Sequence, residues 1–509
     1  MATYELERER KLDVAEGFLL PELPGERLRT VTLVSAYHDT PDRRLAASGI
    51  TLRRRTRARS VRWQLKLPAE GGRFEIELAG RGMEPPPEAF DLLTVHLRGE
   101  PLVPVATLTT RRLGRRVVRD EVPVADVFHD VVTVAEEDAA RARLDEVEIE
   151  LLPAGDERDM RRLAKMLRRA GAVVGDERPK VFQVLDLPAA GVGGPDADAP
   201  PAVRLGAMLA AHVRAMLVAD PAVRLGLGSE PLHDFRVATR RMRALLRAGR
   251  PGLDERWAEG LRTELGWLAG ETNDARDLDV LVEELEPRVE RLGEPDAEHA
   301  AQLIDGLAAD RSAARDRVLA ALVSPRYLAL AERLVAEVSS PRLSGRELDL
   351  GALVSTEYRR MRKAARRLAD DPDNAMHRLR IAGKRVRYAA ELAALPGDRD
   401  GQAFIRAAKD LQDVLGAHQD AVVAEERIRA LAADAEPGVA IAAGRLVEQE
   451  EAGLRSEGPC DLDPFLDPVR QRRGKVVGSL PEAHVIERRE RIALLHPAAQ
   501  RIGAEEDVL

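Results

Sequence analysis

Residues 5–12 read ELERERKL, and a charged side chain occupies every second position of this stretch. In a β-strand, successive side chains point to opposite faces. One face of such a strand would carry Glu5, Glu7, Glu9 and Lys11. Carboxylates that share a face repel one another unless positive charge lies among them. The stretch therefore predicts a strand whose charged face surrounds a cation, with Lys11 in support.

The composition indicates a globular protein of more than one domain. A chain of 509 residues is too long for a single ordinary core, so two or three domains are expected. The formal net charge of −8 argues against a general nucleic-acid binder, so any basic site must be local.

Cysteine content and N-terminal charge bear on the compartment. The single cysteine, Cys460, excludes an internal disulfide framework and is typical of a reducing cytoplasm. The chain is charged from its fifth residue onward, which argues against a secretory signal. Uninterrupted apolar runs of membrane-spanning length are not seen either. We therefore expect a cytoplasmic protein without a membrane partner.

The periodicity of the sequence changes once along the chain. Residues 1–187 alternate with period two, which predicts short strands joined by Gly, Pro and Asp turns, with one helix at 159–172. Residues 188–202 are rich in Pro, Gly, Ala and Asp and are interpreted as a linker. The pattern of 203–509 is helical nearly to its end, apart from a basic extension at 470–479.

The helical half contains an internal repeat. Residues 232–249 match 376–393 at an offset of 144 (377 − 233), and 273–285 are echoed by 417–428. The repeat predicts two related helical half-domains, each a bundle of about four helices.

Several predicted strands carry charge on the face opposite their apolar side chains. The side chains concerned are Arg53, Arg55 and Arg57; Arg62, Gln64 and Lys66; Arg73, Glu75 and Glu77; and Glu146, Glu148 and Glu150. A solvated polar face explains any one strand. The first and last strands are acidic and the middle ones mainly basic, which favours a closed sheet with a charged lumen. A polyanion bound with a divalent cation would satisfy both signs of charge.

These motifs resemble the CYTH, or triphosphate tunnel metalloenzyme, family over residues 3–187. The matching segments, in chain order, are the E-x-E-x-K motif of residues 7–11, YHDTPDRRLAASGITLRRR, WQLKLP, TTRR, EVEIEL and RPK. The resemblance implies an eight-stranded antiparallel tunnel that acts on triphosphate compounds with Mg²⁺ or Mn²⁺. Members include inorganic, thiamine and RNA triphosphatases and class IV adenylate cyclases.

The resemblance also implies roles for individual residues. Metal ligands would be Glu7, Glu9, Glu146, Glu148 and Glu150, although two glutamates of the last acidic strand may suffice. Phosphate-binding residues would be Lys11, Arg53, Arg55, Lys66, Arg112 and Lys180. Glu7, Glu9 and Lys11 would be the catalytic centre. Arg111 replaces Arg112 if the strand register slips by one, and Glu5 lies outside the motif in a supporting or solvent role.

In the helical half, each repeat carries a basic stripe that begins with a histidine. The first stripe consists of His233, Arg236, Arg240, Arg243 and Arg247, and the second of His377, Arg380, Lys384 and Arg387. A solvated helix face, a histidine metal site and a DNA-binding surface are the alternatives. The repetition favours a basic cleft for a linear polyanion.

This half resembles the CHAD domain over about residues 203–455. The resemblance implies two four-helix bundles around a basic cavity that binds inorganic polyphosphate. The ligand contacts would be His233, Arg236, Arg240, Arg241, His377, Arg380, Lys384 and Arg385.

Together the two halves predict a metal-dependent triphosphatase acting on inorganic tripolyphosphate, with an appended polyphosphate-binding domain. That domain would concentrate substrate or place the protein on polyphosphate granules. A non-catalytic polyphosphate-binding scaffold and a nucleotide cyclase remain the alternatives, and nucleic acid is not expected as a partner.

Overall fold

The computed structural model describes most of the chain up to residue 433. The described ranges are 3–69, 71–134, 143–188, 199–293, 296–366, 372–395 and 398–433, with residues 439, 442 and 443. The chain divides into two compact units. The first comprises 1–194, 213–235 and 322–332, and the second 195–212, 236–321 and 333–509. Most of the predicted linker and all of the basic extension lie outside the described residues.

The N-terminal part consists of strands with four short helices. The strands are β1 (Thr3–Glu7), β2 (Glu9–Asp13), β3 (Gly25–Arg27), β4 (Val31–Asp39), β5 (Thr51–Arg57), β6 (Ser60–Ala69), β7 (Gly72–Leu78), β8 (Val103–Arg119), β9 (Val122–Val134), β10 (Arg143–Leu151) and β11 (Val173–Val174). The helices are α1 (Arg44–Ala47), α2 (Pro87–Leu97), α3 (Glu157–Arg169) and α4 (Lys180–Val184). The predicted helix at 159–172 corresponds to α3.

The strands form one antiparallel sheet that closes on itself. Its order is β1-β7-β6-β5-β4-β8-β9-β10-β2-β11, with β3 paired to β8. Only Arg8 separates β1 from β2, so the first and the penultimate strand of this order are one continuous segment. Counted as one, they make eight principal strands around a tunnel, and β3 and β11 are short additions. The predicted fold class, an antiparallel sheet followed by a helical region, is confirmed.

The outward faces of the strands supply two apolar cores. Trp63 and Ile76 are fully buried among residues of the β5–β7 sheet and α2. On the other side, Val147 and Leu163 pack in a core between β9, β10 and α3. Helix α3 begins with a capping box in which Asp156 accepts hydrogen bonds from backbone N–H groups. Because these cores lie outside the tunnel, the middle of its interior is left to the charged side chains.

The far end of the tunnel interior is apolar. Leu108, Val132 and Leu144 lie on the inward faces of β8, β9 and β10, and they pack against Phe182 and Val184 of α4. Helix α4 therefore fills this end of the tunnel.

The C-terminal part is helical. Its helices are α5 (Pro201–Leu225), α6 (Glu230–Ala248), α7 (Glu255–Val289), α8 (Asp296–Val323), α9 (Pro325–Glu337), α10 (Leu350–Arg366), α11 (Pro372–Ala393) and α12 (Arg399–Ala433), with a 3₁₀ turn at Arg250–Gly252. The predicted repeat falls on equivalent elements, because α6 and α11 carry the first matched stretches. The long α7 and α12, each of 35 residues, carry the second.

One helix is long and apolar enough to cross a membrane. Helix α5 has a mean hydropathy of 1.4 over its best window, 39% of which is buried. Core helices of globular proteins pass the same test of length and composition. A single such helix is weak evidence for a membrane span.

The close approach of two strands at Gly114 generates a stability prediction. A Cβ atom at Gly114 would lie 2.7 Å from the Phe128 ring and 3.1 Å from Leu28. Gly114→Ala should therefore lower the free energy of unfolding by about 1 to 3 kcal/mol through overpacking. Gly82→Ala is the matched control, because its Cβ would meet only the Glu84 nitrogen, at 3.9 Å. Thermal denaturation of the two variants measures the difference, and equal melting temperatures would contradict the prediction.

Candidate functional site in the tunnel

A charged cavity occupies the middle of the tunnel. Its lining residues are Glu7, Glu9, Lys11, Tyr37, Thr51, Arg53, Arg55, Lys66, Arg73, Arg112, Glu148, Glu150, Pro179 and Lys180. All of the predicted phosphate-binding residues are among them. Four of the five predicted metal ligands line the cavity as well, and Glu146 lies deeper.

Antiparallel register brings the two acidic strands together. In β2 and β10, Glu9 lies opposite Glu150 and Lys11 lies opposite Glu148. Directly opposed residues of an antiparallel pair project from the same face. On the other side of the bend at Arg8, Glu7 of β1 lies opposite Arg73 of β7. The stretch 5–12 therefore contributes to two different walls of one cavity.

The first carboxylate group consists of Glu7, Glu9 and Glu150. Their oxygens lie within 4.8 Å of one another, and all three side chains are half-buried. Burial raises the pKa of Glu150 to about 8, and the neighbouring carboxylates Glu148 and Glu7 add to the rise against the pull of Arg112. Crowded carboxylate oxygens of this kind fit a hard divalent cation such as Mg²⁺ or Mn²⁺.

The second carboxylate group consists of Asp130, Glu146 and Glu148 and is buried. The Lys180 Nζ lies 3.0 Å from Asp130, 2.5 Å from Glu146 and 2.6 Å from Glu148. Burial alone would raise the pKa of Glu148, but Lys180 and Arg112 hold it well below its usual range. An ammonium group thus already lies among these carboxylates and offsets part of their charge. The structure places the predicted ligands Glu146 and Glu148 around Lys180, whereas Glu150 joins Glu7 and Glu9.

Arg112 bridges the two carboxylate groups. Its Nε and Nη2 donate to the two carboxylate oxygens of Asp130 at 2.9 and 2.7 Å. It also donates to Glu148 at 2.5 Å and to Glu150 at 3.3 Å. Its guanidinium lies 4.2 Å from the centre of the Phe128 ring. Because Arg111 is exposed and does not line the cavity, the register is the one that points Arg112 inward.

The opposite wall carries excess positive charge. Arg53 donates to Gln64 at 3.0 Å and to the Tyr37 hydroxyl at 3.2 Å. Burial, together with repulsion from Arg53 and Arg112, lowers the pKa of Arg55 to about 10. Within the described ranges of the chain, the Arg55 Nε has no hydrogen-bond partner. Crowded guanidinium groups with an unused donor are suited to a phosphate-like anion.

Some cavity residues were missed from the sequence. Tyr37 and Thr51 line the cavity, and their positions in the YHDT and TLRRR segments alternate with outward residues. Arg73 also lines it, and Glu75 lies 3.0 Å from Lys66. Both lie on the charged face recognised for 73–78, so strand alternation was a sufficient signal for them. Asp130 was missed because its strand reads as apolar in sequence.

The predicted polyphosphate contacts lie on α6 and α11. Arg236 donates to the Thr272 carbonyl at 2.6 Å, Arg241 lies 3.2 Å from Glu391, and Arg240 is exposed. Arg385 is near enough to Arg247 to lower its pKa, after the larger effect of burial. His233, Arg380 and Lys384 each have a contact within the protein. The side chain of His377 lies outside the described residues.

The histidine metal site receives no support where the chain is described. In that part of the chain, the groups able to hold a metal ion consist of carboxylates alone.

The inward position of Arg112 generates a prediction with a neighbouring control. Arg112→Ala would leave buried Asp130 and Glu148 short of a cation, and it should destabilise the protein by about 3 kcal/mol or more. Arg111→Ala, on the exposed face, should change the free energy of unfolding by less than about 0.5 kcal/mol. Chemical denaturation compares the variants, and equal destabilisation would contradict the register.

Comparison with known proteins finds one family in the N-terminal part of the chain and another in the C-terminal part. A family model of the CYTH domain matches residues 5–172, and a model of the CHAD domain matches residues 207–429. Uncharacterised proteins from two strains of Mycobacterium tuberculosis are 32% identical over 486 residues, which cover 87% of this chain and 93% of theirs.

Among solved structures, the CHAD domain from the plant Ricinus communis is 29% identical. It covers 53% of this chain and 92% of its own, with a TM-score of 0.43. PptA from Streptomyces chartreusis is 26% identical over 49% of this chain and 94% of its own, with a TM-score of 0.41. From the family matches and the relatives of nearly equal length, we conclude that the chain belongs to the CYTH family in its N-terminal part and to the CHAD family in its C-terminal part.

Proposed function

We propose that this protein is a metal-dependent triphosphatase that hydrolyses inorganic tripolyphosphate, and that its helical domain binds inorganic polyphosphate. One observation carries the proposal. In a single cavity, the carboxylates of Glu7, Glu9 and Glu150 face a wall that contains Arg53 and Arg55. CYTH domains are metal-dependent, and members of the family are triphosphate tunnel metalloenzymes.

The cationic residues would bind and align the phosphate chain. Arg55 has an unused Nε donor and a pKa lowered to about 10, so an anion beside it would relieve the repulsion from its neighbours. Arg53 is held by Gln64 and Tyr37, and a guanidinium already fixed in position loses little entropy on binding phosphate. Positioning and charge neutralisation supply most of the catalysis of phosphoryl transfer.

The carboxylates of Glu7, Glu9 and Glu150 would hold the metal ion. When bound, Mg²⁺ or Mn²⁺ neutralises charge on the phosphate oxygens and lowers the pKa of water. Lys66 forms an ion pair with Glu7, and Lys11 lies 3.7 Å from Glu9. These two ammonium groups hold the carboxylates in place beside the phosphate-binding wall.

Lys11 has a further positioning role between the two acidic groups. Its Nζ donates to the Arg178 carbonyl at 3.1 Å and lies 3.8 Å from Glu148. Lys11 is therefore anchored at a fixed distance from the metal-binding carboxylates, and its ammonium is available to a phosphate oxygen in the cavity that it lines.

Polyphosphate binding by the helical domain is supported by a group of arginines from four helices. The pKa of Arg247 is lowered by burial and then by Arg385, Arg262 and Arg360, which lie on α11, α7 and α10. A cation whose pKa is lowered by neighbouring cations is stabilised by a bound anion. A polyphosphate held there would raise the local concentration of substrate near the tunnel domain that shares the chain.

Replacement of one metal ligand tests the enzymatic proposal. We expect release of orthophosphate from tripolyphosphate that requires Mg²⁺ or Mn²⁺ and stops with EDTA. Glu9→Gln should lower kcat/KM by about 100-fold or more, because one carboxylate of the metal group is lost. Glu5→Gln is the matched control, since Glu5 is exposed and outside the group. Phosphate release from tripolyphosphate is compared with phosphate release from ATP and from thiamine triphosphate.

Other outcomes of that assay would assign a different function. Tight polyphosphate binding without hydrolysis of any substrate would indicate that the protein is a non-catalytic polyphosphate-binding scaffold. Formation of cyclic AMP and pyrophosphate from ATP would indicate a nucleotide cyclase.

Replacement of two arginines tests the binding domain. In the full chain, the double variant Arg247→Ala/Arg385→Ala should raise the Kd for long-chain polyphosphate roughly tenfold through loss of phosphate contacts. Arg256→Ala is the control, because Arg256 is an exposed arginine in the first turn of α7. Titration calorimetry measures both, and an unchanged Kd in the double variant would place polyphosphate elsewhere.

A further inference from the structure

We propose that the open end of the tunnel continues into an arginine-lined groove that holds the part of a phosphate chain extending beyond the site. The inference rests on the proposed function and names its substrate class, which is linear phosphate chains longer than tripolyphosphate. Such a chain would enter the tunnel with one of its ends. This groove is distinct from the cavity in the middle of the tunnel and from the arginine group of the helical domain.

Among the described residues, one end of the tunnel is closed and the other is open. At the closed end, Phe182 and Val184 of α4 pack against inward-facing Leu108 and Val132. Lys180, at the start of α4, points its ammonium into the buried carboxylates. A chain cannot pass through this end, so a linear substrate must enter and leave by the other.

Exposure rises towards the opposite end. Along the inward face of β6, the exposed fraction of the side chain is 13% at Lys66 and 58% at Arg62. Along β7 it rises from 22% at Glu75 to 35% at Glu77. Arg57, at the end of β5, is exposed as well. These gradients identify the mouth of the tunnel.

A groove of about 480 Å³ lies at this mouth. It is lined by Arg59, Ser60, Val61, Arg62, Glu77, Leu78, Gly80 and Arg81. Arg62 of the groove is the direct cross-strand partner of Arg55, which lines the central cavity. Arg62 and Glu77 lie on the inward faces of their strands, whereas Val61 and Leu78 lie on the outward faces, so the groove spans the rim of the tunnel mouth. The ladder of Arg53, Arg55 and Arg57 leads from the central cavity to this rim.

The groove is held in shape by contacts within the protein. Arg54, on the outward face of β5, donates to the Gly82 carbonyl at 2.8 Å and to the Arg81 carbonyl at 3.4 Å. These bonds fix the turn that carries Arg81 beside the hairpin. Arg62 forms an ion pair with Glu77, whereas the exposed Arg59 and Arg81 form no ion pair with a carboxylate among the described residues.

The charge of the groove suits a phosphate chain. Three arginines and one glutamate line it, so it is basic although the protein as a whole is acidic. Each internal phosphate of a linear chain carries negative charge, and guanidinium groups bind phosphate oxygens at several points along the chain. Tripolyphosphate would fill the central cavity, and the groove would add binding energy for longer chains.

The test compares chain lengths in the full-length protein. To weaken the competing binding of polyphosphate to the helices, all proteins carry Arg247→Ala/Arg385→Ala. Arg59→Ala/Arg81→Ala is added, with Arg161→Ala, an exposed arginine of α3, as the matched control. Titration calorimetry with Mg²⁺ gives the ratio of Kd for longer linear chains to Kd for tripolyphosphate, and phosphate release is measured on the same samples.

We expect the groove variant to raise that ratio about three- to tenfold at low salt, an effect that high salt removes because exposed charges are screened. The control should leave the ratio unchanged. An equal ratio in the groove variant and the control overturns the inference. Absence of phosphate release with the ratio still raised would refute the proposed catalysis and leave the groove as a binding site.

Discussion

The structure depends on charge enclosed inside a closed antiparallel sheet. The segment that contains β1 and β2 pairs with β7 on one side and β10 on the other. Its acidic face points inward because Glu9 lies opposite the inward-facing Glu150. Burial makes each of these charges costly unless a partner of opposite sign lies beside it. Lys180 and Arg112 meet this requirement for Asp130, Glu146 and Glu148. The helix that ends the tunnel is thereby fixed in place by the acids it neutralises.

The balance of charge is incomplete, and the incomplete regions indicate function. The carboxylate oxygens of Glu7, Glu9 and Glu150 lie within 4.8 Å of one another, and burial, with smaller contributions from Glu148 and Glu7, raises the pKa of Glu150 to about 8. Across the cavity, Arg55 is held among cations with an unused donor. In the proposed function, a divalent cation would relieve the first excess and a phosphate chain would relieve the second. A metal ion and a polyanion bound together would be more favourable than either alone, because each neutralises charge next to the other.

The helical domain shows a similar arrangement on a different framework. Arg247 and Arg385 come from equivalent helices of the internal repeat, and burial together with mutual repulsion lowers the pKa of Arg247. Arg241 contributes differently, because its ion pair with Glu391 connects α6 to α11. Arg241 therefore stabilises the packing of the two repeats, while Arg247 and Arg385 provide positive charge that an anion would neutralise.

The amino-acid sequence by itself determined the order of strands and helices, the repeat, and the inward face of each charged strand. Alternation with period two and the helical period are local properties of the backbone, so they are legible in ELERERKL or in the stripe that begins at His233. Only the tertiary structure decided how the five predicted glutamates divide. Cross-strand register and the insertion of α4 bring Lys180 against Glu146 and Glu148 and leave Glu150 with Glu7 and Glu9. Asp130 enters this cluster from a strand that looks apolar in sequence, because contacts between distant strands are set by the closure of the sheet.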